Sequence, residues 1–195
     1  FTRTTGRTVE INNLQYNFPL GLDSSSARIA LPPGFPVPEL TLDLPELSLN
    51  PAGLLSRQVR TDFSFGLFNG KVMGRADFSP LLGISDYELA CRGQDLQIDA
   101  LRLQDMLGTV QAAQGLVSFN MRLSGQLQNS HPGRGSGEVH YADGTLQFAF
   151  PGDSIPFTDV RGQGTWELSD RQVRIQECRV KAKGAEAQLS GNIDL

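Results

Sequence analysis

Apolar and polar residues alternate with a period of two along most of the chain, the pattern of strands that bury one face. Phe63, Phe65 and Leu67 are followed by Val72, Gly74, Ala76 and Phe78, with Asn69-Gly70 between the two runs. Asn-Gly is a strong hairpin signal because both central residues of a type I′ turn take positive φ. A two-residue turn there predicts Leu67 opposite Val72, Phe65 opposite Gly74 and Phe63 opposite Ala76, with Ser64 facing Arg75 on the other side. The same test at Asp143-Gly144 predicts Tyr141 opposite Leu146, Val139 opposite Phe148 and His140 opposite Gln147. A third hairpin around Asp170-Arg171 sets Leu168 against Val173, Trp166 against Ile175 and Glu167 against Arg174, the last an ion-pair geometry. Val117 through Leu127 is the longest clean alternation, and Ala185 through Leu195 forms a closing strand.

The phase breaks twice. Leu40, Leu42 and Leu44 give way to Leu47 and Leu49 across Pro45-Glu46, and Val173 and Ile175 give way to Cys178 and Val180 across Gln176-Glu177. A one-residue slip inverts the faces, so each break predicts a bulge where the sheet bends. Asp99 as N-cap, with Leu103, Met106, Leu107 and Val110 at helical spacing, predicts a helix over 100–113. Asn50-Pro51 and Ser79-Pro80 predict single helical turns. Residues 31–39, the Gly-rich stretch 131–137 and the surroundings of Pro151 read as loops. Together these elements predict an all-β fold: one long, mainly antiparallel, strongly curved sheet or flattened half-barrel with one short helix. It spans 1–195 as a single domain.

Composition agrees. The chain has 195 residues, with 39% hydrophobic and 19% charged, both below common shares, and it is rich in Gly (21) and Pro (11). A formal net charge of −4 speaks against a general nucleic-acid binder. No apolar run is long enough to cross a membrane as a helix. The chain opens at Phe1 rather than Met, which reads as a fragment whose upstream segment, an expected membrane anchor, is missing.

Candidate chemistry is sparse. Cys91 and Cys178 form no Cys-x-x-Cys motif and read as two buried, unbridged thiols on separate strands, a single disulfide being the alternative. His131, in the Gly-rich loop, and His140, on a polar strand face, read as surface residues. The loop 133–137 lacks the Lys-Ser/Thr of a phosphate cradle and precedes a strand rather than a helix. No nucleophile elbow and no paired carboxylates stand out, so neither catalytic residues, metal ligands nor a cofactor is expected. Arg171, Arg174, Arg179, Lys181 and Lys183 concentrate basic charge near the end of the chain. They read first as a solvated strand face and second as a contact face for anionic lipid heads or an acidic partner.

Two stretches carry a family resemblance. Ile98-Asp-Ala-Leu-Arg-Leu-Gln-Asp-Met-Leu107 with Gly115–Leu127, and Phe157-Thr-Asp-Val-Arg-Gly162 with Ala187–Leu195, resemble proteins of the AsmA/TamB type. Within that group, Tyr16-Asn-Phe-Pro-Leu-Gly21, Leu40-Thr-Leu-Asp-Leu44 and Asn50-Pro-Ala-Gly-Leu-Leu55 ahead of Asn69-Gly70 are similar to the type II secretion system protein N family. The resemblance implies a non-catalytic, periplasm-facing β domain anchored to the inner membrane of a Gram-negative envelope. Its partners would be other secretion-system proteins, met through protein–protein contacts. The wider group implies an alternative, a curved β groove that handles lipid between membranes. Phe63, Phe65, Val117, Phe119, Met121, Trp166 and Ile175 would then line an apolar groove. Alternation by itself implies no more than a closed core made of the same residues.

Overall fold

The computed structural model describes residues 9–31, 38–51, 58–79, 86–101, 110–126, 133–150, 153–169 and 172–194. Thirteen strands form one sheet, and every pairing in it is antiparallel. They are β1 (Val9–Asn12), β2 (Gln15–Asn17), β3 (Gly21–Asp23), β4 (Ser26–Ala30), β5 (Glu39–Asn50), β6 (Val59–Leu67) and β7 (Gly70–Ser79). There follow β8 (Asp86–Gln97), β9 (Val110–Gln126), β10 (Arg134–Phe150), β11 (Asp153–Ser169), β12 (Gln172–Ala182) and β13 (Ala185–Asp194). From β5 onward each strand pairs with the next in sequence, an unbroken meander that ends at β13. β4 and β3 both pair with β5, β1 pairs with β4, and β2 pairs with β3. The sheet stays open: β1 and β13 end the strand order and do not pair with each other.

The register of β11 with β12 is the one expected on either side of 170–171, which lie outside the described residues: Leu168 stands opposite Val173, Trp166 opposite Ile175 and Glu167 opposite Arg174. Both phase breaks are irregularities in register. The first lies between Asp43 and Glu46, where Leu44 has φ 45°, and the second between Ile175 and Cys178.

Four expectations are corrected. The hairpin near Asn69-Gly70 turns one residue earlier, on Phe68 and Asn69, which have φ 49° and 59°. Leu67 therefore pairs with Gly70, Phe65 with Val72 and Phe63 with Gly74. The shift keeps every side chain on its predicted face, because each partner moves by two residues. Gly70 is needed for proximity rather than for the turn: a β-carbon there would overlap the backbone of Gln94 and Asp95 on β8.

Asp143-Gly144 is not a turn. β10 runs through it, and two residues of β10 oppose the single Gly115 of β9, which has φ 142°. Asp143 (φ 52°) and Asp159 (φ 55°) mark matching irregularities between β10 and β11. A bulge inverts the apolar phase just as a hairpin does, so the alternation could not separate the two.

The predicted helix is a 3-10 turn over Ile98–Leu101, and Val110–Ala113 already belongs to β9. Ala113 is buried as a strand residue, because β10 offers it a ladder and a partner in Leu146. The remainder of that predicted helix, 102–109, lies outside the described residues, as do 80–85 and 52–57 beyond Pro51, where single turns were predicted. Arg134–Gly137 is strand rather than loop, while His131 and Pro132 lie outside the described residues.

Candidate functional site

Following the register across the sheet assembles one continuous apolar row. Tyr16, Leu22, Leu47, Phe63, Gly74, Cys91, Met121, Gly137, Trp166, Ile175 and Gly191 each pair with the next. A second row on the same face runs Phe65, Val72, Gly93, Phe119, Val139, Gly164, Cys178 and Leu189. Val117 follows on that face opposite Leu96 and Tyr141. All seven residues predicted to line an apolar groove therefore share one face of the sheet.

That face is best covered in the middle. Val72, Cys91 and Leu96 are buried, with Phe63, Phe65, Leu67, Phe119 and Met121 packed against them. The rings of Phe63 and Phe65 stack at 6.0 Å. A second cluster joins Ile98 and Ala113 to Val117, Tyr141, Leu146 and Phe148. Toward the ends of the strand order cover falls away: Tyr16 is 63% exposed, Leu22 40%, Leu189 59% and Ile193 51%. Trp166 is half-buried beside Gly137, where a β-carbon would lie 2.7 Å from the indole Cζ2.

The opposite face is polar and charged. Arg60 pairs with Asp77 at 2.6 Å and Arg75 with Asp62 at 2.7 Å, each pair directly cross-strand. Asp62 holds the Arg75 guanidinium above its ordinary pKa through its hydrogen bond and charge. Of the basic residues near the chain end, Arg174, Arg179 and Lys181 occupy the same face. Arg174 stands opposite Glu167, Arg179 contacts Glu177 at 2.5 Å, and Lys181 contacts Glu186 at 3.3 Å. Lys183 sits in the β12–β13 turn, its backbone N–H donating to the Thr158 carbonyl at 3.2 Å. Arg171 lies outside the described residues.

Arg161 belongs to this group, and the sequence reading missed it. It stands directly opposite Lys181 and lines an open depression of about 630 Å³ with Arg179, Lys181 and Lys183. The signal was available. Counting back from the 170–171 turn puts Arg161 opposite Val180, and the phase break already visible in β12 moves it by one residue onto Lys181.

β13 forms the other distinctive surface. It is ten residues long, every residue is exposed, and among the described strands it pairs only with β12. Its outer backbone groups are a ready template for another strand.

Titratable groups suited to catalysis do not converge among the described residues. No three His, Cys, Asp or Glu side chains there gather as metal ligands, and the described helical turn is far too short to cross a membrane. His140 lies 3.9 Å from Glu138 on the polar face, exposed as expected. Cys91 and Cys178 are free thiols. Both lie on the apolar face, but three strands separate β8 from β12, which at about 4.8 Å per strand is far beyond disulfide reach. Cys91 is buried, and burial pushes its thiol above the ordinary value, whereas Cys178 is half-buried.

Comparison with protein-family models, with curated proteins and with solved structures finds no match to this chain.

Proposed function

We propose that this domain is a non-catalytic β scaffold of a type II secretion apparatus, protein N-like, facing the periplasm at the inner membrane and working through protein–protein contacts. The observation that supports this reading is the fully exposed edge strand β13, whose alternating Ala187, Leu189, Gly191 and Ile193 offer an incoming strand an apolar side. Strand addition supplies affinity through backbone hydrogen bonds and specificity through alternate side chains. A photocrosslinker at Ser190 in the native envelope is expected to capture a secretion-system component. Absence of any such component among the crosslinked products overturns the proposal.

The continuous apolar face, half-covered toward its ends, favours a second reading: an AsmA/TamB-like groove that carries lipid chains. Phe63, Phe65, Val117, Phe119, Met121, Trp166 and Ile175 share that face. Native mass spectrometry after gentle purification separates the readings. Copurified phospholipid supports the groove, and a clean apo mass supports a core closed to ligand.

A further inference from the structure

Cross-strand charge pairs on the polar face are mostly of opposite sign, the anionic pairs Asp23–Glu46 and Asp77–Glu88 excepted. Arg60 faces Asp77, Asp62 faces Arg75, Glu167 faces Arg174 and Lys181 faces Glu186. Among the described residues, Arg161 opposite Lys181 is the one register pair that sets two cations against each other. Like charges directly opposite are destabilising, so a merely solvated face gains nothing from this arrangement. Around the pair stand Arg179 and Lys183, all four lining the same depression of about 630 Å³. Against them the depression offers one carboxylate, Asp159. Glu177 and Glu186 hold Arg179 and Lys181 from outside it, and no carboxylate pairs with Arg161 or Lys183 among the described residues. On a chain of net charge −4, this is a local reversal of sign.

We propose that Arg161, Arg179, Lys181 and Lys183 form a binding site for a phosphate-class oxyanion. Arg161 supplies a planar, always-charged fork suited to two oxygens, while Lys181 and Lys183 supply mobile point charges. A bound oxyanion would offset the Arg161–Lys181 repulsion. The site lies on the face opposite Trp166 and is therefore separate from the apolar rows, so it stands whichever reading of those rows holds.

The test uses the full chain and two probes: inorganic pyrophosphate in solution, and vesicles of phosphatidylglycerol with phosphatidylcholine against phosphatidylcholine alone. R161Q/K181Q is compared with R122Q/R134Q, which removes equal charge elsewhere on the polar face. Vesicle binding that weakens with salt and falls roughly ten- to thirty-fold in R161Q/K181Q supports the site and assigns a lipid headgroup as its source. Binding of pyrophosphate alone, lost in the same variant, supports the site and assigns a free phosphate. Failure of both probes, or equal losses in the two double variants, overturns it. Urea unfolding of both variants verifies the fold, and relief of repulsion predicts that R161Q/K181Q unfolds no earlier than the parent.

Discussion

The ring of Phe63 lies over Gly74, its paired neighbour on β7: a β-carbon at position 74 would fall 2.5 Å from Phe63 Cζ and would overlap the Ala90 carbonyl oxygen. Gly191 occupies the same apolar row at the β13 edge with nothing within 4 Å. The two glycines thus share strand geometry and face but differ in surroundings.

Gly74→Ala is accordingly expected to destabilise the fold by about 1–3 kcal/mol, the range for forcing extra atoms into a packed site. Gly191→Ala is expected to stay within about 0.5 kcal/mol of the parent or to gain slightly, since glycine weakens a strand that has room for a side chain. Urea unfolding of the two variants checks this, and equal effects would contradict the packing described for Phe63.

Stability is also expected to fall in alkali. Burial raises the pKa of the Cys91 thiol and of the Tyr141 phenol, so the folded chain holds both protons more tightly than the unfolded chain. For such groups stability is complete below the ordinary pKa and is lost as pH rises through the folded value. The loss therefore begins near pH ~8.5 for the thiol and ~10 for the phenol. Urea midpoints from pH 7 to 11 should decline, and Cys91→Ala should flatten the first part of that decline. The same burial predicts that Cys178 reacts with a thiol reagent before Cys91 in the native protein.

The alternation carried the architecture because period two and one-sided burial leave little freedom: most of β6, β7, β9, β12 and β13 was readable, and so were both bulges in β5 and β12. What it could not carry was the distinction between reversal and bulge at Asp143-Gly144. Both invert phase and both use Asp or Gly at positive φ, and the outcome depends on partners from β9 and β11 that are distant in sequence. The helix expected over 100–113 failed for a related reason, since spacing at 103, 106, 107 and 110 says nothing of the ladder that claims Val110–Ala113. Arg161 went unnoticed because its significance is a register fact, visible only once the slip in β12 is counted.

Leu189 and Ile193 test the edge strand without disturbing the core, as they are 59% and 51% exposed. Lysine at both positions puts charge where a docking strand would lay its apolar side, a device natural edge strands use against pairing. Leu189→Lys with Ile193→Lys is expected to abolish the crosslink from Ser190 while leaving unfolding within about 0.5 kcal/mol per site. Persistence of the crosslink at full yield would place the contact elsewhere.

The bulge at Gly144 offers a sharper probe of how the two long strands are held. Tyr141 lays its phenol across Gly144, so that the three heavy atoms nearest to a β-carbon built there are two of its ring carbons and its hydroxyl oxygen. The phenol O–H donates to the Gln114 carbonyl at 2.5 Å, tying β10 to β9 beside Gly115. Gly144→Ala alone must displace the ring and is expected to cost about 1–3 kcal/mol. In a Tyr141→Ala background the same change meets no ring and should cost far less. The cycle therefore predicts a coupling of roughly 0.5–3 kcal/mol between positions 141 and 144, the range for residues in contact. Tyr141→Phe separates the two roles: it keeps the ring over Gly144 and removes the bond to Gln114, at a cost of about 0.5–1.5 kcal/mol. If Gly144→Ala costs the same in the parent and in Tyr141→Ala, the ring is not what fixes glycine at this bulge.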